Sequence, residues 1–466
     1  MRRRVIGIET EYGLTCATRS GAQPTHDADA AARLLFAPLA VSGRAPNVYL
    51  RNGGRLYLDV GAHPEYATAE CDSFEDLLAQ HRCGDELLNQ LNLRTQGILG
   101  GLEDPEEIYL FRNNVDSAGN SYGCHENYLL HRRRDFRQVA NGLVAFFVTR
   151  PILVGAGHVR RSGTKLAYCF SQRAEQMWEA VSSATTRTRP IINTRDEPLA
   201  DAGQYRRLHV ISGDTNVCEA TTFLKVGMTA LVLDAVEDGM NLSDLEIADP
   251  MVAIRQINQD LSAQAKIPMA SGPDLTAVEI QERVLLRVRD FLGIDTSSDT
   301  CDQTTRTVID LWERGLQALR SGNWSLVDRE LDFAIKFRII QEYIKRKQTT
   351  YEDPRVARLL LSYHDIGPRG LRASLERAGH MLRLTTDDQI HQACITAPSS
   401  TRAHLRSRVI NAAEQAGVEL AIDWVRASRL DDANSYILMN DPFATTSPSV
   451  EEFIASFRSD EEVLPA

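Results

Sequence analysis

The chain has 466 residues, enough for one large domain with a small one, or for two or three ordinary domains. Its 63 acidic and 52 basic side chains give a net charge of −11 at pH 7, which argues against a general nucleic-acid-binding protein. Because the eight cysteines are scattered without a C-x-x-C pair, and because no signal-peptide core and no run of about 18 uncharged apolar residues is present, we predict a cytoplasmic protein with reduced thiols and no membrane partner.

Strand-like sequence dominates residues 1–130. The predicted strands, which share alternating or β-branched side chains, comprise residues 5–15, 48–50, 55–60, 66–71, 107–113 and 126–130, the last two paired with each other. Asn52-Gly53-Gly54 predicts a hairpin between the second and third of them. A helix is predicted at 27–36, capped by Asp27 and ended by Pro38, and another at 73–93.

Helical patterns become more frequent further along the chain. Helices are predicted at 172–183, 230–238, 274–291, 325–347 and 401–416, and strands at 207–212, 220–226, 421–424 and 436–439. Because the strands occur in hairpins rather than in β-α-β units, we predict an α+β fold in which helices pack on one side of an antiparallel sheet. A hinge near Pro398 predicts a large domain, residues 1–396, and a small C-terminal domain, residues 397–466.

Acidic side chains are concentrated on two of the N-terminal strands. Since alternate residues of a strand point to the same side, Glu9 and Glu11 share one face, and so do Arg55, Tyr57 and Asp59. Two carboxylates about 4 Å apart repel by roughly 4 kcal/mol at an effective dielectric constant of about 20, which a fold tolerates when a cation lies between them. Oxygen ligands suit Mg²⁺ or Mn²⁺ together with nucleotide phosphates. The pattern therefore predicts the floor of a metal–ATP site, and the alternative is a solvated edge strand.

Other polar features each allow two interpretations. His125 or Glu126 either faces the metals or belongs to a long hairpin loop. Arg207 and His209 share a strand face, where they either hold a phosphate and a second metal ion or serve the structure alone. Trp424 either stacks on an adenine base or belongs to the core of the C-terminal domain.

Five runs of residues resemble the bacterial Pup ligases, the proteasome accessory factor A family. They are GIETEYG (7–13), RLYLDVG (55–61), HPEYATAECD (63–72), SYGCHENY (121–128) and RPIINTRDEP (189–198). The likeness extends over essentially the whole chain. It implies a carboxylate–amine ligase fold related to glutamine synthetase and glutamate–cysteine ligase, with a glutamine-synthetase-like β-sheet cradle and a small C-terminal domain.

The resemblance also implies roles for individual residues. It matches Glu9, Tyr57 and Glu65 to the magnesium site, Asp59 to the catalytic base, and Arg55, Thr68 and Trp424 to ATP-contacting positions. Strand geometry alone extends the predicted site to the metal ligands Glu11, Glu70 and His209 and to the nucleotide contact Arg207.

The implied reaction joins the γ-carboxylate of the C-terminal glutamate of Pup, a small ubiquitin-like modifier, to lysine ε-amines of target proteins. The resemblance implies ATP and Mg²⁺ as cofactors, a γ-glutamyl phosphate as intermediate, and proteasomal degradation as the fate of the modified protein. A Pup deamidase and depupylase of the same fold is disfavoured, because it opens with GTEVEYG and carries a long insertion for which residues 14–54 leave no room. That sister enzyme, a small-molecule glutamate–amine ligase and a catalytically silent adaptor remain the alternatives.

Overall fold

An eight-stranded sheet is the largest unit of the computed structural model, which describes residues 1–40, 47–59, 61–116, 118–183, 189–298, 301–432 and 434–457. The strands are β1 (Ile6–Glu11), β2 (Gly13–Thr18), β3 (Asn47–Tyr49), β4 (Arg55–Leu58), β5 (Pro64–Ala67), β6 (Glu106–Phe111), β7 (Cys124–His131), β8 (His158–Ser162), β9 (Lys165–Cys169), β10 (Glu179–Ser182), β11 (Pro190–Asn193), β12 (Tyr205–Val210), β13 (Leu420–Ile422), β14 (Arg426–Arg429) and β15 (Tyr436–Leu438). The large sheet has the order β10-β11-β12-β7-β1-β5-β4-β3, and its neighbours are antiparallel except for the parallel pair β10 and β11.

Helices make up much of the rest of the described residues. They are α1 (Ala28–Ala40), α2 (Phe74–Leu99), α3 (Phe136–Thr149), α4 (Pro151–Val154), α5 (Glu219–Glu237), α6 (Pro250–Gln259), α7 (Ala277–Leu292), α8 (Gln303–Ser321), α9 (Asp332–Lys347), α10 (Pro354–His364), α11 (Arg372–Arg377), α12 (Asp387–Ile395), α13 (Ala403–Ala416) and α14 (Pro448–Ser456). Asp27 caps α1 as predicted, since its Oδ1 accepts a hydrogen bond from the N–H of Ala30 at 2.8 Å. The hydroxyl of Ser73 does the same for α2.

The inner face of the sheet packs against α3 and α5 in one large core. Ile8, Tyr128 and Leu208 point to this side and are almost completely buried. α5 is buried along nearly its whole length, which explains why it is apolar on all sides. The polar members of the same strand alternation point to the other face, which stays open. The predicted antiparallel sheet with helices packed on one side is confirmed.

The C-terminal residues enclose a hydrophobic cluster of their own. α13, α14 and the sheet β13-β14-β15 surround Leu405, Ala427 and Phe453. The helix predicted at 401–416 and the two short strands predicted here are present with slightly different ends. The boundary between residues 396 and 397 stays a prediction. Residue 60 of the predicted strand 55–60 and residues 458–466 of the predicted C-terminal domain lie outside the described residues.

Two elements have a different type from the one predicted. The strand predicted at 220–226 is the first part of α5, because a short apolar run does not distinguish a strand from a fully buried helix. The helix predicted at 172–183 is a short 3₁₀ turn followed by β10. The Asp214 carboxylate accepts hydrogen bonds from the N–H groups of Gln172 and Arg173, and the chain then extends to pair with β11. Tertiary contacts outweigh helix propensity there.

Two local details also differ from the predictions. β6 and β7, which cover the strands predicted at 107–113 and 126–130, do not pair with each other: β6 pairs with β2, and β7 lies between β1 and β12. Consecutive strands are neighbours in only about two-thirds of cases, so sequence order alone did not identify the partners. Pro38 lies inside α1 instead of ending it, because only the last turn follows and one lost hydrogen bond is tolerated near a helix end.

All eight cysteine thiols are free, as the scattered spacing predicted, and six of them are buried. Among the helices of the described ranges, none combines the length and the apolar character that crossing a bilayer requires.

A buried ion pair joins the sheet to the helical layer and yields a stability prediction. The Arg150 guanidinium donates to both oxygens of the Glu126 carboxylate at 2.8 and 2.6 Å, and both side chains are almost fully buried. We expect Arg150→Met to lower the free energy of unfolding by about 3–5 kcal/mol, since an unpaired carboxylate remains in the core. Denaturant unfolding followed by circular dichroism measures this change.

The control for this prediction is Arg33→Met, which removes an exposed pair with Asp29 and should cost less than about 1 kcal/mol. Replacing both core partners, as Arg150→Met with Glu126→Leu, should recover much of the loss, because no charge is then left without a partner. Equal unfolding midpoints for Arg150→Met and Arg33→Met would contradict the prediction.

Candidate active site

The open face of the sheet collects the predicted acidic residues through its strand register. β1 lies beside β5, with Glu11 directly opposite Glu65, and β5 lies beside β4, with Glu65 directly opposite Tyr57. Directly opposed residues have their Cβ atoms about 4.5–5.5 Å apart. Side chains that are far apart in the sequence therefore form one patch, as the alternation of Glu9 and Glu11 predicted.

β7 and β12 extend this patch on the other side of β1. His125 lies opposite Glu9, and Asn127 lies opposite His209. The Glu9 carboxylate accepts hydrogen bonds from His125 Nδ1 at 3.1 Å and from Asn127 Nδ2 at 3.0 Å. Nη1 of Arg207 lies 3.8 Å from the same carboxylate. Burial raises the pKa of Glu9, but His125, His209 and Arg207 outweigh it and hold that pKa below its usual range.

The first candidate metal position consists of Glu9, His125 and His209, whose possible ligand atoms all lie within 4.8 Å of one another. Nε2 of His209 is buried without a hydrogen-bond partner among the described residues. Burial lowers the pKa of His209 to about 3, so its ring is neutral at physiological pH. A neutral imidazole nitrogen that lacks a donor nearby is available as a metal ligand.

The second candidate position consists of Glu11, Asp59 and Glu65, again with ligand atoms within 4.8 Å of one another. Burial raises the pKa of Glu65 well above its usual range, and the charges of Glu9 and Glu11 raise it further. Tyr57 is hydrogen-bonded to Glu65, and burial keeps its hydroxyl protonated by raising its pKa. Such a set of oxygen donors fits Mg²⁺ or Mn²⁺, because a divalent cation relieves the repulsion.

A turn sets the position of Asp59 at the end of β4. Its backbone N–H donates to the carbonyl of His63 at 2.9 Å, and its carbonyl accepts from the N–H of Ala62 at 3.0 Å. Gly61 and Ala62 have φ angles of 88° and 57°, so the chain reverses sharply there. This reversal places the Asp59 carboxylate among the acidic groups of β1 and β5, which suits either a metal ligand or a base.

A cleft adjoins the acidic patch. Its walls include the predicted ATP contacts Thr68 and Trp424 together with Glu9, Arg207 and Leu199. The structure therefore brings three of the predicted nucleotide residues, Thr68, Arg207 and Trp424, into one cleft that the predicted metal ligand Glu9 also lines.

Arg55 contacts two tyrosine rings. Its guanidinium carbon lies 4.1 Å from the centre of the Tyr57 ring and 5.6 Å from that of Tyr49. The Tyr49 ring in turn meets Trp424 edge to face, with ring centres 5.2 Å apart. Aromatic contacts thus link Arg55 to Tyr57 of the metal site and, through Tyr49, to Trp424 of the cleft. Nε of Arg55 also donates a hydrogen bond to Oδ1 of Asn47 at 2.8 Å.

Two of the predicted site residues have different surroundings from the rest. Glu70 belongs to neither acidic group, because its carboxylate is bound by Arg402 and Arg406 of the C-terminal unit. Glu126 points into the core, so of the two neighbours considered at this position only His125 reaches the open face.

Sequence reasoning missed several residues of the site. Asn127 holds Glu9 and also accepts a hydrogen bond from Arg207 Nη1 at 2.9 Å. Leu199 and Arg402 line the cleft although they come from distant parts of the chain. For Asn127, strand alternation with His125 was an available signal. Nothing in the local sequence indicated that residues near 199 and 402 meet.

Comparisons with known proteins identify similar chains and structures. The family model described as Pup-ligase protein matches residues 4–428. A Pup–protein ligase of Sanguibacter keddieii is 47% identical over 455 residues, which are 97% of this chain and 99% of that protein. A Pup–protein ligase of Mycolicibacterium smegmatis is 45% identical over 457 residues, which are 98% of this chain and all of that protein.

Two solved structures are similar over nearly their whole length. A crystal structure of the complex between the prokaryotic ubiquitin-like protein Pup and its ligase PafA has a TM-score of 0.91 at 40% identity, covering 98% of this chain and 92% of that one. The Pup ligase PafA in complex with ADP has a TM-score of 0.82 at 39% identity, covering 94% and 96%.

The cleft leads to a prediction for nucleotide affinity. We expect Trp424→Ala to raise the dissociation constant for ADP about ten-fold or more, because stacking of a base on an aromatic ring contributes about 1–3 kcal/mol. Trp424→Phe should retain most of the affinity. Isothermal titration calorimetry measures both, with Trp178→Ala as the control, since Trp178 is exposed and lies beside Arg255 outside the cleft. Unchanged affinity in Trp424→Ala would exclude the stacking role.

The raised pKa of Glu65 predicts proton release on cation binding. A carboxyl whose pKa is raised retains more of its proton as the pH falls, and a cation expels that proton when it binds. The binding enthalpy of Mn²⁺, measured at pH 6.5 and at pH 8, should therefore depend on the ionisation enthalpy of the buffer. Glu65→Gln should remove most of this dependence. A wild-type enthalpy that is the same in all buffers at both pH values would disprove the prediction.

Proposed function

This chain belongs to the Pup ligase family, and we propose that its open sheet face joins the γ-carboxylate of Pup's C-terminal glutamate to a lysine ε-amine of a target protein. It is an ATP-dependent carboxylate–amine ligase whose partners are Pup and protein targets. The observation that carries the assignment of chemistry to this face is the pair of candidate metal-ligating groups beside a cleft that Thr68, Arg207 and Trp424 line. The relatives are named as ligases, which favours ligation over deamidation as the activity.

An amide does not form from a carboxylate and an amine in water without activation. In the proposed reaction, an oxygen of the γ-carboxylate attacks the γ-phosphorus of ATP, the bond to the β,γ-bridging oxygen breaks, and ADP leaves. The product is a γ-glutamyl phosphate. The lysine amine then attacks its carbonyl carbon, phosphate leaves with the C–O bonding electrons, and the nitrogen gives up a proton. The isopeptide-linked protein is thereby marked for proteasomal degradation.

Two magnesium positions fit the residues that are present. Glu9, Tyr57 and Glu65 would hold Mg²⁺, and His209, His125 and Glu11 are placed to complete the coordination. The bound ion supplies charge neutralisation and orientation for the phosphates. The unpartnered Nε2 of His209 and the mutual repulsion of the carboxylates support this assignment.

Arginines on both sides of the metal positions are suited to the transferring phosphoryl group. Arg207 is held by Asn127 and by Glu197, so its guanidinium is oriented before any ligand binds. Arg55 is held over the Tyr57 ring and has no carboxylate partner among the described residues. Fixed positive charges of this kind stabilise the transition state without reorganisation.

Asp59 is the proposed general base. A lysine ammonium cannot act as a nucleophile, so its proton must go to a group at the reacting end of the site. Asp59 is half-buried at the edge of the acidic group and held by the turn after β4. Removing this proton generates the free amine next to the acyl phosphate.

The test is a conjugation assay with Pup ending in glutamate, ATP, Mg²⁺ and a lysine-bearing protein. We expect the wild-type chain to give a conjugate of increased mass, and Asp59→Asn to lower its rate at least about 100-fold because the base is lost. ADP affinity, measured by calorimetry, should be retained in Asp59→Asn.

The matched control is Asp310→Asn, an exposed carboxylate on α8 paired with Arg314, which should conjugate at the wild-type rate. Wild-type rates from Asp59→Asn would disprove the base assignment. ATP turnover with free glutamate and a small amine but without Pup would indicate the small-molecule ligase instead, and no Pup-dependent ATP turnover would indicate an adaptor.

A further inference from the structure

Glu70 has the position of a structural anchor rather than of a metal ligand. Its side chain is only 9% exposed. Oε1 accepts hydrogen bonds from Arg402 Nε at 2.8 Å and from Arg406 Nη1 at 3.0 Å, and Oε2 accepts one from Arg406 Nη2. Burial acts to raise the pKa of Glu70, but the two guanidinium groups outweigh it and lower the pKa to about 2. Both oxygens of the carboxylate are therefore occupied by α13 and its cap.

Arg406 connects Glu70 to Trp424, the proposed platform for the adenine base. It is fully buried, and its guanidinium carbon lies 4.8 Å from the centre of the Trp424 ring. Nη1 also donates to the Trp424 carbonyl at 3.1 Å, and Nη2 donates to the Gly53 carbonyl at 2.7 Å. The same arginine thus holds both the ring and the backbone of Trp424 while it is itself oriented by Glu70.

Arg402 connects Glu70 to Leu199 in another part of the cleft wall. Its Nη1 donates to the carbonyl of Met439 at 3.0 Å, and its Nη2 donates to the carbonyl of Leu199. Leu199 has a φ angle of 50°, a left-handed conformation that costs energy for a leucine and therefore needs support from its surroundings. Leu199 and Trp424 both line the cleft, so Glu70 fixes two of its walls through two arginines.

We infer that Glu70 is a positioning residue for the nucleotide: it sets the placement of Trp424 and Leu199 through Arg406 and Arg402. This inference rests on the proposed function of Trp424 as the base platform. It assigns to Glu70 a contribution to nucleotide affinity and none to metal binding, in contrast to the role that strand geometry had indicated.

The test compares Glu70→Gln with Glu9→Gln. In Glu70→Gln we expect the dissociation constant for ADP to rise about ten-fold and the Michaelis constant for ATP to rise with it, while the conjugation rate at saturating ATP stays within about two-fold of wild type. Mn²⁺ binding without nucleotide should be unchanged. Glu9→Gln, in contrast, should weaken Mn²⁺ binding. Weaker Mn²⁺ binding in Glu70→Gln, or unchanged ADP affinity, would overturn the inference.

A coupling measurement separates positioning from general destabilisation. If Glu70 acts through Trp424, Glu70→Gln should weaken ADP binding less in the Trp424→Ala background than in the wild type, because contacting groups are not additive. Independent, multiplying effects would overturn the inference. Should Trp424→Ala alone leave ADP affinity unchanged, the base platform itself fails. If Trp424→Ala weakens ADP binding but Glu70→Gln does not, the positioning role of Glu70 is refuted while the base platform is retained.

Arg406→Lys provides the second variant, since Glu70→Gln leaves two buried arginines without their counter-charge and can fail to fold. Lysine keeps the positive charge beside Glu70 but lacks the planar group that stacks on Trp424 and bridges three acceptors. We expect the same rise in the ADP dissociation constant and a circular dichroism spectrum like that of wild type. A folded Arg406→Lys protein with wild-type ADP affinity would contradict the inference.

Discussion

Repulsion between carboxylates on the open face of the sheet is the constraint on which the structure depends. Glu9, Glu11, Asp59 and Glu65 come together where strand register leaves them no room to separate. Proteins retain such an arrangement when divalent cations and phosphates occupy the space between the acidic groups. Without a cation, other interactions reduce the repulsion only in part. The raised pKa of Glu65 favours its protonated form, and the Glu9 carboxylate is stabilised by His125, Asn127 and Arg207.

The core on the other face of the sheet is what makes this arrangement persist. Ile8 alternates with Glu9, and Tyr128 alternates with Asn127, so burial of the apolar set determines the direction of the polar set. A slip of one residue in β1 would exchange the two faces, placing carboxylates in the core and isoleucines in the site. The packing of α3 and α5 against the sheet therefore maintains the geometry of the acidic groups as well as the stability of the fold.

The parts of the site that could be predicted are those set by local periodicity. Alternation within one strand placed Glu9 with Glu11 and Tyr57 with Asp59, and the hairpin signal at residues 52–54 placed β3 beside β4. The arrangement of β7 between β1 and β12 required long-range pairing that no local signal specifies, so the contact between Asn127 and Glu9 was not predicted although alternation with His125 indicated the face of Asn127. Glu70 illustrates the same limit. Its place in an acidic strand pattern suggested a metal ligand, but its carboxylate is bound by arginines more than 300 residues away in the sequence. The identity of α5 was hidden because complete burial removes the periodic contrast between faces.

The late position of Trp424 and the two arginines has a consequence for biosynthesis. The acidic strands β1, β4 and β5 precede Arg402, Arg406 and Trp424 by more than 300 residues, so they leave the ribosome before them. Domains begin to fold while the chain is still being made, so the sheet is complete before the cleft has its second wall. A polypeptide that ends before α13 would present the acidic strands without Arg402, Arg406 and Trp424, and the cleft would lack the wall that these residues form.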